Sequence, residues 1–428
     1  MTNEKTTNSK NDIIKQREKY YRRNYIALMF EGFFVSFAFS IFSHTTVFPV
    51  YVSYITENSF FISLVSVIYF GLSYFSSILS CVWGVNAKSP KWISIIICGT
   101  QRIGFIAIII STYFAFSNSA VALTIFFLSF AVYAVAAGMS SPVFYNMVAT
   151  VIPKKIGGFM GSYSLIGAAS GVVSSRIMTK ILDKYGFPVN YRTIFIIGTV
   201  MAVIATFIVV FGVKEVVGEE EKEKIKFSDL PAIVKGLFTK NIPYRRFLIT
   251  RIILGIAEMT IPFYIIKVGK LEGVTAGFVG TMTTVLLISN MIAGKFMGYI
   301  GDKLGPMAMV LIGSVSGVLA AGLALLMPGY QFGYLLFILV SFAQQGITLS
   351  TNVAGIYYSD GGHIPILVAT TGLVSAPLYI VSSLAGGVLA EKYSIDLVFI
   401  IGVFSYLCVA ILSYIYFKNS NKNVIIKN

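Results

Sequence analysis

The chain is a succession of apolar runs, each roughly 20 to 27 residues long, which is the length a helix needs to cross the hydrocarbon of a bilayer. Hydrocarbon offers no water to backbone N–H and C=O groups, so a crossing segment must be a helix or part of a closed barrel. Barrel strands would show alternation over about ten residues, and these runs show none. With 56% of its 428 residues hydrophobic and 12% charged, the chain takes lipid as its solvent. The fold class expected is therefore an all-α polytopic membrane protein.

Twelve transmembrane helices are predicted: 25–51, 59–85, 91–116, 119–149, 157–182 and 191–213, then 245–268, 274–300, 307–327, 332–358, 363–390 and 395–417. They form two bundles of six, 25–213 and 245–417. A basic tail, residues 1–24, precedes them and a short tail, 418–428, follows. Between the bundles, residues 214–244 open with a charged run. They then turn amphipathic after Asp229 and Pro231, with Leu230, Ile233, Val234, Leu237 and Phe238 at helical spacing, as in a segment lying on a membrane surface.

The formal charge of +15 would suggest nucleic acid if the chain were soluble. Its placement gives another reason. Of the 33 Lys and Arg, 23 fall in the tails and in the loops that share their side. This is the positive-inside pattern, which puts both termini in the cytoplasm and excludes a nucleic-acid partner. The partners expected are the lipid bilayer and a small-molecule substrate, with the chain acting as a monomer. Cys81, Cys98 and Cys408 lie in apolar helices and imply neither disulfide nor metal. No Gly-x-x-x-x-Gly-Lys-(Ser/Thr) loop and no His-Glu-x-x-His helix is present, so neither ATP hydrolysis of that type nor zinc hydrolysis is expected, and no cofactor is implied.

The halves begin alike: Tyr21, Arg22, Arg23 and Gly32 recur as Tyr244, Arg245, Arg246 and Gly255 at the same spacing. Six plus six helices around a central loop is a parallel-repeat arrangement found among transporters. Gly298, Asp302, Lys303 and Gly305, between helices 8 and 9, are similar to the Gly-x-x-x-Asp-(Arg/Lys)-x-Gly signature of the major facilitator superfamily, which the chain resembles in topology over its whole length. The resemblance implies that Asp302 and Lys303 latch neighbouring helices and help gate the inward face. The first half departs from it, since Gly84 to Lys91 holds no acid. Helix 5 carries Gly157, Gly161, Gly167 and Gly171, read as close packing, but not the Gly-Pro pair resembling that of proton-driven drug exporters.

A charge at mid-bilayer costs about 2.5–3.5 kcal/mol by insertion scales, so each one needs a partner or a task. Glu31 and Arg102 lie at depths differing by about 6 Å and are placed to pair, or to serve transport. Arg251 and Glu258 share a face of helix 7 with Gly255 and Pro262. A carboxyl there is suited to take up and release a proton, with the arginine tuning it. Arg176 and Lys295 are read as snorkelling to the interfaces and His44 as a packing residue.

Polar faces mark a wet cavity. Gln344, Thr348, Thr351 and Asn352 recur at i, i+4, i+7 and i+8 of helix 10, with Gln345 beside them. Weaker faces hold Tyr69 and Ser73 on helix 2, Tyr145 and Asn146 on helix 4, Asn290 on helix 8, and Thr371, Ser375 and Tyr379 on helix 11. The function expected is secondary active transport of a small organic solute by alternating access, coupled to protons. Efflux of amphiphiles on the same fold, or a membrane sensor or assembly role, are the rivals left open.

Overall fold

The computed structural model describes residues 2–86, 89–152, 156–216, 232, 235, 236, 239, 241–275, 277–358 and 364–425. The side chains of residues 2–15, 78, 81, 82, 84–86, 141, 145, 149, 156–158, 161, 352, 355, 356, 364–366, 368, 369 and 419–425 are not described. The amphipathic segment expected after Asp229 lies almost wholly outside the described residues.

Among the described residues there is no strand. The helices are α1 (Thr2–Ile41), α2 (Val47–Ile55), α3 (Ser59–Asn86), α4 (Pro90–Phe114), α5 (Ser119–Val151), α6 (Ile156–Lys184), α7 (Val189–Phe207), α8 (Ile242–Ala257), α9 (Ile261–Gly269), α10 (Phe278–Leu304), α11 (Pro306–Leu326), α12 (Phe332–Tyr357), α13 (Ile364–Lys392) and α14 (Ile395–Ile425). Twelve stretches are long and apolar enough to cross a membrane. The first crossing is α1 followed by α2, the seventh is α8 followed by α9, and each other helix is one crossing. The protein is a multi-pass membrane protein.

The first crossing is not the single helix 25–51 expected. The chain breaks at 42–46, where the Thr46 N–H and hydroxyl both turn to the Ser43 hydroxyl (3.2 and 2.8 Å). α2 then restarts with Pro49 in its first turn, where a missing N–H does no harm. Elsewhere the starts follow capping chemistry. Ser89 caps α4 ahead of Pro90, Asn118 caps α5 and Asn241 caps α8. α7 ends in a π turn, Ile208–Gly212, whose carbonyls are taken up by side chains. Arg23 reaches Gly212 and Phe211, and Lys91 reaches Val210 and Val213.

Within the first six crossings α1 packs on α6 and α7, and α5 on α3 and α4; within the second six α12 packs on α10 and α11, and α8 on α13 and α14. α4 turns Ile103, Ile106 and Ile110 outward and buries Gln101, Arg102 and Phe105, as expected of a peripheral crossing with one face toward lipid. The two halves meet through α3 against α13 and α6 against α10, with α2 against α9.

These contacts begin at the end of the bundle away from the termini and, between α3 and α13, continue inward to Tyr74 and Gly372. The Ser59 N–H donates to Glu391 (2.6 Å) and the Gly277 N–H to Asp183 (2.6 Å). Deeper in, Ser175 and Thr284 hydroxyls bond at 2.5 Å, and Thr46 and Thr283 at 2.8 Å. Gly280 lies against Ser175 and Thr179, and Gly387 against Phe60 and Ser63, where only glycine allows the backbones so close. Following α10 toward the terminal face, Met291 and Lys295 are exposed, and a side chain at Gly298 would meet nothing within 4 Å. The halves are thus in contact at the end away from the termini, and α10 leaves that contact toward the other end.

Candidate functional site

The seventh crossing carries the most unusual chemistry. α8 runs as a regular helix to Ala257, and Glu258–Thr260 then tighten into a single 3₁₀ turn. Pro262 is the cause, because it has no N–H to give the Glu258 carbonyl four residues back; that carbonyl takes the Ile261 N–H instead. Glu258 therefore sits at a break in its own helix, buried, with no hydrogen bond to its carboxylate among the described residues. Two turns earlier Arg251 is buried to 2% exposure. Its Nη1 donates to the Ile347 carbonyl of α12 at 3.3 Å, and its Nε has no acceptor among the described residues. Between them Gly255 lets α13 pass close, with the Tyr379 backbone nitrogen 3.1 Å from where a Cβ would stand, and Ser382 bonds the Gly255 carbonyl at 2.5 Å.

Two tyrosines complete the cluster. Tyr379 of α13 and Tyr74 of α3 face each other with ring centroids 5.6 Å apart, and the Tyr74 hydroxyl stands beside both the Arg251 guanidinium and the Tyr379 hydroxyl. Both tyrosines are within electrostatic reach of Glu258. Tyr74 belongs to the first half and the other members to the second, so the cluster bridges the interface. Of its members, the sequence picks out Arg251, Glu258 and Tyr379. It passes over Tyr74, which lies one position from Ser73 and is masked by the general abundance of aromatics; its helical neighbours Phe70, Gly71, Ser77 and Ile78 mark no polar face.

Glu31 and Arg102 are brought to one cavity inside the first half, lined also by Ser94, Cys98, Phe144, Met147 and Thr206. They do not bond to each other. Tyr163 donates to Glu31 at 3.0 Å, whereas Arg102 donates to the Ala202 carbonyl at 3.1 Å and to Gln101. A water centre has about 20 Å³ to move in between them, room for one ordered water.

The polar faces divide. Thr371 bonds Tyr244, Ser375 bonds the Thr371 carbonyl, and Ser73 bonds the Ala134 carbonyl, so these three join or brace helices in this conformation. Gln344, Gln345 and Thr351 are half-buried and Thr348 is exposed, with Gln345 turned toward Gly294 of α10. The Asn290 Oδ1 is buried without a donor. Tyr69 stacks on His44 at 3.6 Å. Asn146 is half-buried, and the side chains of Tyr145 and Asn352 lie outside the described residues.

At the loop signature Asp302 and Lys303 are exposed, and Lys303 folds back on Tyr299 of its own helix (2.5 Å) instead of bridging to a neighbour. Gly305 ends α10 with φ +79°, a conformation that favours glycine. In the first half the missing acid is made good from elsewhere. Glu215, just beyond α7, accepts from the Lys91 N–H (3.1 Å) and the Ser89 hydroxyl at the start of α4. Among the described residues no group of three His, Cys, Asp or Glu converges to hold a metal.

The model of the Major Facilitator Superfamily matches residues 32–359. No match to a curated protein was found. Among solved structures, a POT family transporter in complex with 5-aminolevulinic acid aligns with TM-score 0.69 and 13% identity over 94% of this chain and 96% of its own. The nucleoside transporter NupG aligns with TM-score 0.68 and 15% identity over 92% and 99%. The xylose transporter XylE from E. coli, in a partially occluded inward-open conformation, aligns with TM-score 0.65 and 11% identity over 92% and 97%. At these identities the likeness is one of fold.

Proposed function

The chain belongs to the Major Facilitator Superfamily, and from that premise we propose that it is a proton-coupled secondary transporter of a small polar solute, with Glu258 as the coupling acid. The observation that carries this reading is the placement of Glu258. It is a buried carboxyl without a hydrogen-bond partner among the described residues, at a helix break, beside a cluster that spans the two halves. A carboxyl so placed meets a different environment each time the halves rock, which is what a coupling group requires.

With the termini in the cytoplasm, as the basic loops favour, the conformation is inward-facing: closed at the outer end and parted toward the cytoplasm. Exposed Asp302 and Lys303 fit this reading, since a latch that holds the inward face shut has nothing to grip while that face is open. The structural neighbours are a POT family transporter in complex with 5-aminolevulinic acid, a nucleoside transporter and a xylose transporter. That range supports a small polar solute without choosing one.

The test is flux in vesicles containing purified protein, after a thermal-shift screen for a bound metabolite. Wild type should accumulate the solute when a pH gradient is imposed. Glu258→Gln should lose gradient-driven accumulation and keep solute exchange in counterflow, because alternation survives when the proton cannot be released. Accumulation by the variant equal to wild type would remove Glu258 from the mechanism.

A further inference from the structure

We propose that the solute carries a carboxylate and that Arg251 is its docking group, with the hydroxyls of Tyr74 and Tyr379 as flanking donors. This inference rests on the reading of the chain as a transporter and adds the class of cargo. A guanidinium presents five N–H donors in a rigid fork and cannot shed its charge. Arg251 holds that fork in the membrane interior, 2% exposed, with one long bond to a backbone carbonyl, the Tyr74 hydroxyl beside it and an Nε that has no acceptor among the described residues. No carboxylate lies within ion-pair distance of it among the described residues. Glu258 is two turns away, about 10 Å along the axis. The other arginine buried among the described residues is provided for. Arg102 has a backbone carbonyl and a side-chain amide, each at short range.

A buried cation left short of acceptors is destabilising, and the natural remedy is an anion from outside the chain. Shape and charge narrow its class. The flat fork matches the two oxygens of a carboxylate, and the neighbouring phenols can each donate one more bond to the same group. One guanidinium balances one negative charge, so a monocarboxylate fits the site and a phosphate dianion does not.

Access follows from topology. Tyr74 stands on the first half and Arg251 on the second, so wider parting on the open side moves the phenol off the guanidinium. The solute's carboxylate enters between the two, where the Tyr74 hydroxyl can still donate to it. Glu258 gives the arrangement a coupling logic. An ionised Glu258 shares the field of Arg251 with an incoming anion and opposes it; a protonated one does not. Anion and proton are therefore taken up together, and one of each moves no net charge.

The experiment is thermal unfolding of the purified full chain against small acids, each paired with its own primary amide: lactate with lactamide, nicotinate with nicotinamide, benzoate with benzamide and others of the kind. Uridine and xylose serve as neutral probes. The expected result is stabilisation by one or more acids, none by the matching amide, and a larger effect at pH 6 than at pH 8. Arg251→Lys, which keeps the charge and loses the fork, should weaken acid binding at least tenfold while its melting without ligand stays near wild type. If that variant is poorly folded, Tyr74→Phe replaces it, with an expected loss of a few-fold. Equal stabilisation by acid and amide, or undiminished acid binding by Arg251→Lys, would overturn the proposal. Binding and flux of a neutral probe alone would also overturn it while leaving the transporter reading intact. No shift and no flux with any probe would count against both.

Discussion

Two carboxylates lie at membrane depth, and their surroundings assign them different work. Glu31 is held inside one half. Tyr163 of α6 donates to it and Arg102 of α4 faces it across a space for one water, so its neighbours travel with it when the halves rock. Glu258 has no such tether and adjoins a tyrosine from the other half. The residue-scale expectation is that Tyr163→Phe, which removes a hydrogen bond to an acid, weakens the fold by about 1.5–3 kcal/mol and lowers the melting temperature. Glu31→Gln, whose amide oxygen can still accept from Tyr163, should melt near wild type and retain proton-driven flux. Melting curves and vesicle flux on the two variants decide it. A Glu31→Gln protein that exchanges solute but no longer accumulates it would move the coupling role from Glu258 to Glu31.

At the scale of helices, glycine governs how near the halves can come. A side chain on Gly387 would stand 2.9 Å from the Phe60 Cα and 2.1 Å from the Ser63 Oγ, and backbone cannot yield as a flexible side chain would. Gly387→Val should therefore hold α13 away from α3 at the outer end and favour the outward-open arrangement. Ser59, buried here and bonded to Glu391, reports the change. In a chain lacking its native cysteines, Ser59→Cys should react slowly with a membrane-impermeant maleimide, and clearly faster once Gly387→Val is added. An unchanged rate would mean that the interface absorbs the methyls. The number and length of the crossings are legible in the sequence because hydrocarbon demands about 20 apolar residues each time. The break at 42–46 is not, because it depends on Ser43 and Thr46 bonding each other in place of the helix. The glycines of α6 are legible as packing positions, and Gly167 against Ser36 and Gly171 against Leu287 bear this out. Thr371 and Ser375 look like cavity wall in the sequence because periodicity identifies a polar face without saying whether water or another helix meets it. Tyr74 is invisible for the complementary reason: its importance lies in which half it reaches across to.

For the whole molecule the issue is whether the closed end must open for the solute to cross. The two larger contacts between halves, α3 with α13 and α6 with α10, are equivalent positions in the two six-helix sets, so rocking about them exchanges one closed end for the other. On that mechanism, fastening one end stops transport without touching the site. Ser175 and Thr284 suit the purpose, since their hydroxyl oxygens are 2.5 Å apart across α6 and α10 and away from Arg251 and Glu258 in the chain. Cysteine sulfurs at both positions would stand near where those oxygens are, within reach of the bond a disulfide makes. In a background without Cys81, Cys98 and Cys408, Ser175→Cys with Thr284→Cys should transport when reduced, lose flux on oxidation and regain it with reductant. The oxidised protein should still bind solute from the cytoplasmic side, because the inward-facing arrangement is the one being fastened. Each single variant should be indifferent to oxidant. Flux that persists in a fully cross-linked double variant would show that α6 and α10 need not separate, and would replace rocking of rigid halves with a local gate.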